Sequence, residues 1–301
     1  MTRRVGSVSI VIPNYQGYRL LEENLPKVIL ASQNPINKIT EIIVVEDAST
    51  DESLVLLKRQ FPEIKLIIHK KNTGFVTSVN DGVKTAVGEF ICLLNTDVIP
   101  SPEFLETVLP HFENEKVFGV SLNEEGVGWT WTKGVFKDGY ISYERGTKDN
   151  RAHETFWASG GSGVFRKNIW TLLGGMDERL FSPFYWEDLD ICYRAVKRGY
   201  RVFWEPRSKV MHKHESTISQ LSPGYVARIK ERNHLLFNWK NLTSPNLFRK
   251  HLAGIMARTL KHPGYIRIVL MALGKLGVVL AMRVRERKEG KVSDEAILAR
   301  F

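Results

Sequence analysis

The sequence predicts an α/β fold: a mostly parallel sheet with helices on both faces, followed by a basic helical region. Three observations predict it. Short apolar runs rich in Val and Ile alternate with amphipathic stretches through the first third of the chain. Acidic and amide residues stand at the ends of those runs, where ligands collect in such sheets. Beyond about Ser216 the alternation stops and the chain reads as successive helices. A chain of 301 residues, 43% of them hydrophobic, suffices for one large domain with an appendage, placed at 1–215 and 216–301.

"VSIVIPNY" reads as a buried strand, followed by a polar turn and a helix through "RLLEENLPKVILAS". Pro26 is expected to bend or break that helix, because it lacks an N–H and crowds the preceding turn. "EIIVVEDAST" is a second strand running into an acidic turn, and "DESLVLLKRQF" is helical after it. "KLIIHKKN" is a third strand, "GFVTSVNDGVKTAV" a helix and "EFICLLNTDV" a fourth strand.

Glu46 and Asp47 close the second strand, and Asn95 and Asp97 close the fourth. Residues of these types also form turns and helix caps. Two such turns at one sheet edge suggest a site. An acid at the first accepts hydrogen bonds from a base or ribose, and one at the second is a hard ligand for Mg²⁺ or Mn²⁺ bridging phosphates. The chain has no GxxxxGK[ST] loop, and "SGGSGVFRK" (Ser159 to Lys167) lacks the GxGxxG spacing. Its glycines serve a tight bend or a close approach of backbone.

In "FSPFYWEDLDICYRAVKRGY", Leu189, Cys192, Tyr193 and Val196 recur at helical spacing and Gly199 supplies a stop. Acids in its first turn suit the helix dipole. The preceding Phe181, Phe184, Tyr185 and Trp186 would also place Glu187 and Asp188 against an apolar wall, which tunes a carboxylate as a base.

The net charge of +10 is unevenly placed: from Arg207 onward there are 19 Lys and Arg against 6 Asp and Glu, and before it 24 against 27. A basic tail faces nucleic acid, anionic lipid or a phosphorylated substrate. No RNA-reading aromatic motif or helix-turn-helix pattern is evident, so nucleic acid is not the expected partner. Cys92 and Cys192 form no CxxC pair, which suggests a reducing, cytoplasmic setting. "MTRRVGSVSIVIPNY" reads as neither signal peptide nor anchor. "RIKERNHLLFNWKNL" is an amphipathic helix. "YIRIVLMALGKLGVVLAMRVRERK" is interrupted by Lys275 and falls short of the roughly 20 apolar residues that span a bilayer. It is expected to lie in the membrane interface, with Arg267, Arg283, Arg285, Arg287 and Lys288 meeting anionic headgroups, or else to pack on the first domain or a second subunit of a homodimer.

The ordered set "VSIVIPNYQG", "VVEDASTD", "KNTGFVTSVNDG", "LLNTDV", "WASGGSGVFRK", "GGMDERLFSPFYWEDLDICYRAVKRGY" and "VMHKHES" resembles the family 2 glycosyltransferases of the GT-A (Rossmann-like) fold, most of all bacterial rhamnosyltransferase-like members that build surface polysaccharides. The resemblance covers roughly the first two thirds of the chain. It implies a nucleoside-diphosphate sugar donor (UDP- or dTDP-linked, with rhamnose one option), a divalent cation (Mg²⁺ or Mn²⁺) and a glycan or lipid-linked glycan acceptor at the inner face of the cell membrane. Pro13 and Tyr15 match the motif bordering the base. Glu46 or Asp47, the former where an Asp is usual, matches the base and ribose contact. Asn72, Gly74 and Asn80 match the "NxGF" segment, and Gly160 and Gly161 the glycine segment. Asn95, Thr96 and Asp97 stand where many members carry Asp-x-Asp; Asp97 is the carboxylate that reaches the metal, while Asn95 offers only a neutral oxygen. His212, with His214 as its rival, matches a histidine that completes the metal or diphosphate site. Asp188 takes the place of the general base and Glu187 orients it or holds the acceptor, with Asp190 expected on the helix surface. Trp129, Trp131, Trp157 and Trp186 are candidates for stacking on sugars as well as for core filling, and Arg232 and Asn233 resemble a recurrent motif. The competing readings are a sugar nucleotidyltransferase, for which "PNYQGYRL" supplies little triphosphate-binding chemistry, and a noncatalytic sugar-nucleotide- or RNA-binding protein, in which loss of Asp97 or Asp188 would be expected.

Overall fold

The structure, a computed structural model, describes residues 6–126, 128, 130–213 and 221–301. Strand β1 (Val8–Asn14) is buried almost throughout, as its run of Val and Ile requires of a central parallel strand. It pairs in parallel with β2 (Ile39–Glu46) on one side and β4 (Phe90–Leu94) on the other, and β3 (Lys65–Ile68) extends the sheet beyond β2. Helices α1 (Tyr18–Gln33), α2 (Ser53–Gln60) and α3 (Phe75–Thr85) make the crossovers. The chain therefore travels outward from β1 to β3 and returns to the opposite side of β1, leaving a crevice at the carboxyl ends of β1 and β4. Alternate residues of β1 enter opposite cores, Val11 one and Ile10 and Ile12 the other, so that both faces of the sheet are covered.

Past β4 the sheet continues through β10 (Ser162–Arg166), antiparallel to both its neighbours, then β6 (Val117–Glu125), β11 (Arg201–His212) and β5 (Val98–Pro100). β9 (His153–Glu154) pairs with β11, and β7 (Thr132–Lys137) and β8 (Tyr140–Arg145) form a separate hairpin. Pro26 does not end α1: it lies on the exposed side of one continuous helix, where the carbonyl deprived of its partner meets water.

Between β10 and β11 lie α4 (Lys167–Leu173), α5 (Glu178–Phe181) and α6 (Glu187–Lys197), and after β11 the described residues form helices only: α7 (Pro223–Asn241), α8 (Pro245–Lys261), α9 (Ile266–Leu273), α10 (Leu276–Glu289) and α11 (Asp294–Leu298). Among the described residues no single helix is long and apolar enough to cross a membrane; the apolar stretch is broken near Gly274 into two helices bent by 71°. Arg283, expected to meet headgroups, instead turns inward, while Arg285 stays partly exposed and is engaged by neighbouring groups. Arg283 donates to the Trp239 carbonyl at 2.7 Å and covers the Phe248 ring, and Arg285 donates to the Leu172 carbonyl at 3.0 Å.

Buried charge fixes α6. Asp190 is fully buried instead of lying on the helix surface. Its carboxylate accepts from Arg194 at 2.7 Å, one turn on, and from Lys240 at 2.8 Å and Asn241 at 2.7 Å at the end of α7. Farther along α6, Lys197 meets the buried Asp294 at 2.7 Å, and Arg198 meets Glu286 of α10 at 2.6 Å. Burial alone would raise the Asp190 pKa; Lys240 and Arg194 outweigh it and hold the carboxyl below its ordinary value. Replacing Asp190 by Ala leaves Lys240 and Arg194 buried and short of a partner, a change of about 3–5 kcal/mol. Asp190→Ala is accordingly expected to lower the urea midpoint sharply; a midpoint within error of the parent would show that the network does not support the fold.

Candidate active site

A cleft of about 470 Å³ opens at the carboxyl ends of β1, β2 and β4. β1 delivers Pro13, Asn14 and Tyr15, the turn after β2 delivers Asp47, and the turn after β4 delivers Asn95, Thr96 and Asp97. These side chains converge because parallel strands end together on one edge of the sheet. Asn72 and Gly74, on the loop before α3, form another wall. Asp47 holds that loop: it accepts from the Thr73 N–H at 2.8 Å and the Gly74 N–H at 2.7 Å, and its Oδ1 contacts the His69 ring at 2.8 Å.

The remaining wall comes from Gly160, Gly161 and the start of α6. A β-carbon on Gly161 would lie 2.4 Å from the Asn95 side chain, so only glycine lets these segments approach. The Asn95 N–H donates to the Gly161 carbonyl at 2.9 Å, while the Gly160 N–H donates to Asp188 at 3.2 Å. Two adjacent glycines thereby tie the turn that carries Asp97 to the helix that carries Asp188.

Tyr185 and Trp186 lead into α6 with φ of 71° and 77°, a region bulky side chains rarely enter. Their placement is held from α7. The buried Asn233 amide donates to the carbonyls of Phe181 at 3.0 Å, Phe184 at 2.9 Å and Tyr185 at 3.0 Å. Trp186 stacks on His234 with centroids 4.1 Å apart and planes 8° from parallel. The expected aromatic wall is therefore present, with Phe184 and Tyr185 lining the cleft and Trp186 buried behind them.

Glu187 is buried, and its Oε2 has no hydrogen-bond partner among the described residues. Burial, reinforced by Asp188 alongside, raises its pKa well above the ordinary value. Asp188 is half-buried on the cleft wall. Burial also raises its pKa, with the N–H groups of Gly160 and Leu189 opposing by stabilising the ionised form. The two carboxyls are coupled, so the pair binds its protons as a unit, and burial raises both.

Asp97 is 1% exposed and its Oδ2 lacks a hydrogen-bond partner among the described residues. Its Oδ1 lies 3.3 Å from His212 Nε2, and His212 Nδ1 lies 2.9 Å from Glu124. Burial would lower the His212 pKa, but the hydrogen bonds to Asp97 and Glu124 prevail and raise it to about 9. Among the described residues no three His, Cys, Asp or Glu side chains are grouped to hold a metal by themselves. One carboxylate with an uncommitted buried oxygen still fits Mg²⁺ or Mn²⁺, which bind through one or two carboxylates together with substrate phosphates and water.

The cleft is lined by Pro13, Tyr15, Asp47, Asn72, Gly74, Asn95, Thr96, Asp97, Gly160, Gly161, Glu187 and Asp188. Three expected residues stand elsewhere. Glu46 is buried beneath, accepting from Asn14 and from the Ser49 N–H at 2.8 Å. His212 sits behind Asp97. Asn80 braces the segment before α5, donating to the Met176 carbonyl at 2.8 Å and accepting from the Met176 N–H at 3.0 Å. Trp131 is a buried residue whose indole donates to the Thr147 carbonyl at 2.8 Å, and Trp157 packs on Tyr143 at 4.3 Å between centroids. Trp129 and His214 lie outside the described residues. Ser78, Leu221 and Tyr225 also line the cleft; Ser78 sits among helix-forming residues and the other two flank the start of α7, without a motif to mark them.

The model of glycosyl transferase family 2 matches residues 9–173. An uncharacterized glycosyltransferase of Bacillus subtilis is 30% identical over 213 residues, 68% of this chain and 73% of the relative. An N-acetylglucosaminyl-diphospho-decaprenol L-rhamnosyltransferase of Mycobacterium tuberculosis is 23% identical over 238 residues, 67% of this chain and 75% of that one. Some other curated relatives match over about a third of their length. Among solved structures, a mannosyltransferase from Pyrobaculum calidifontis in complex with GDP-Man and Mn²⁺ superposes with a TM-score of 0.56 at 17% identity, over 93% of this chain and 85% of that one.

The raised Glu187 pKa has a consequence for stability. The folded state keeps the proton where the unfolded chain releases it, so stability falls as pH rises above the ordinary carboxyl value of 4.5, and the loss is complete once pH passes the folded-state pKa. Glu187→Gln removes this loss, which amounts to about 1.4 kcal/mol for each unit of pKa elevation. The variant is expected to gain stability over the parent at about pH 8 and little at about pH 4 in urea titrations. An equal difference at both pH values would show that Glu187 is not held protonated.

Proposed function

Because the chain belongs to glycosyl transferase family 2 and is a glycosyltransferase of the GT-A fold, we propose that it moves a sugar, with inversion, from a nucleoside-diphosphate sugar to a glycan or lipid-linked glycan acceptor. The observation that carries this reading is the joining, through Gly160 and Gly161, of Asp188 to the turn holding Asp97 in one cleft.

In this reading the base and ribose lie between Tyr15 and the loop fixed by Asp47, with the diphosphate toward Asn95, Thr96 and Asp97. The sugar occupies the space before Gly160 and Gly161. Asp188 takes the proton of the acceptor hydroxyl as that oxygen bonds to the anomeric carbon from the face opposite the departing diphosphate. The bond from that carbon to the diphosphate oxygen breaks, and its electron pair leaves with the nucleoside diphosphate. Glu187, protonated, keeps a second negative charge away from Asp188 and offers a donor to it or to the acceptor. Asp97, with His212 close behind, would hold a divalent cation, which when bound would supply positive charge against that developing on the leaving oxygen. The UDP- and dTDP-linked donors and the sugar rhamnose belong to this proposal, in line with the rhamnosyltransferase relative. So does an acceptor met at the inner face of the cell membrane, with residues 1–215 binding donor and 216–301 approaching the membrane.

The test is release of nucleoside diphosphate from a panel of UDP-, dTDP- and GDP-sugars, with Mg²⁺ or Mn²⁺ and membrane extract as acceptor. Asp188→Asn is expected to bind donor as the parent does and to lose about 10²- to 10⁴-fold in turnover, the contribution of a positioned base. Unchanged turnover in that variant would remove Asp188 from the chemistry.

A further inference from the structure

α9 and α10 each pack on α7, through Ile268 and Ala272 in one and Val279 in the other. Their outward faces carry apolar side chains. On α9 these are Ile266, Leu270 and Leu273, and on α10 Leu276, Leu280 and Val284, spaced three or four residues apart so that each trio forms one row. Leu270 is 60% exposed, Leu280 52% and Val284 67%, exposures that a packed helix does not leave on half its long apolar residues. Exposed cations, Arg267, Arg287 and Lys288, lie on the same two helices. The only acids between residues 266 and 289 are Glu286 and Glu289. Glu286 is buried against Arg198, and Glu289 pairs with Arg198 and Arg285.

We propose that the outer face of the bent pair α9–α10 docks on a bilayer containing anionic lipid, its apolar rows entering the acyl boundary and Arg267, Arg287 and Lys288 meeting the headgroups. The inference deepens the membrane-side reading above and rests on it for its purpose, since a lipid-linked acceptor is presented at such a surface. Neither helix is long enough to cross by itself, 8 and 14 residues extending about 12 and 21 Å against about 30 Å of hydrocarbon, and the 71° bend between them lets both lie along one surface. Charge decides against a second copy as the occupant. A symmetric dimer through this face would gather the cations of both copies into one interface, where the acids of these two helices are already paired with Arg198 and Arg285, whereas anionic headgroups complement them.

The test is flotation of the full chain with vesicles of phosphatidylcholine and phosphatidylglycerol in equal parts, and with phosphatidylcholine alone. The parent is expected to float with the anionic vesicles and to be released by salt. Leu270→Glu/Leu280→Glu, whose sites are exposed, is expected to unfold at the parent's temperature and to lose about tenfold or more of its binding, as placing charge in the apolar boundary requires. Nucleoside diphosphate release in the absence of vesicles is expected to be the same for both. A parent that does not float, a variant that floats equally well, or a parent that is a dimer separated by the substitutions and indifferent to vesicles would each overturn the proposal. A parent that floats as described but releases no nucleoside diphosphate would uphold the lipid face and count against the transferase reading.

Discussion

The site depends on how α6 buries three carboxyl groups within four residues. Glu187, Asp188 and Asp190 sit on one helical turn, Glu187 and Asp190 buried and Asp188 half-buried on the cleft wall, yet their pKa values do not move together: the first two of the three rise and Asp190 falls. The difference is one of partners. Asp190 faces Lys240, Arg194 and Asn241, which hold its pKa down; Glu187 has an oxygen without a hydrogen-bond partner among the described residues and an acidic neighbour, and its pKa rises. The ion-paired acid anchors the helix, which lets the pair at its start remain in surroundings that disfavour charge. Stored cost at functional residues of this kind persists only where the rest of the structure over-determines the geometry.

The same logic explains the approach to α6. Positive φ at both Tyr185 and Trp186 costs on the order of 1–3 kcal/mol per residue. The three carbonyl acceptors of Asn233 and the stack of Trp186 on His234 offset it. Both restraints come from α7, so the helical C-terminal region shapes the cleft as well as presenting an outer face. The sheet supplies the opposite side, where the ends of β1, β2 and β4 place Asp47 and Asp97 with no strain beyond their turns. Gly160 and Gly161 join these two structures, one rigid through its ladder and one through buried charge.

The sheet edge was readable from sequence because buried parallel strands are continuous apolar runs, and the polar residues that end them stand out; Asp47, Asn95 and Asp97 emerged this way. The aromatics before α6 point to Glu187 and Asp188 together, and the resemblance to the family singles out Asp188. Asp190 did not emerge, because its partners Lys240 and Asn241 are fifty residues away, and an acid in a first turn already has a sufficient local explanation. The i,i+4 pair with Arg194 was the only local sign. Asn80 shares its segment with cleft residues but points to Met176, a tertiary choice that helical spacing does not determine. Arg283 and Arg285 looked like membrane-facing cations because composition reports charge without direction. Pro26 does not break α1 because the buried face of that helix, Leu21, Leu25, Val28 and Ala31, packs on both sides of the proline and offsets its cost of about 3 kcal/mol.

The chemistry proposed for the cleft requires the α6 pair to retain a proton above the ordinary carboxylate range, leaving Asp188 as a base in an apolar cleft. Carbon-13 NMR titration of the labelled Asp and Glu carboxyls in the resting protein measures this directly, with the two signals assigned by their loss on substitution. One of the two carboxyls is expected to take up its proton well above the pH at which exposed acids do, while Asp190 stays ionised below it. A pair fully ionised down to the ordinary carboxyl range would contradict that expectation, leaving Glu187 and Asp188 as no more than the acidic first turn of a helix.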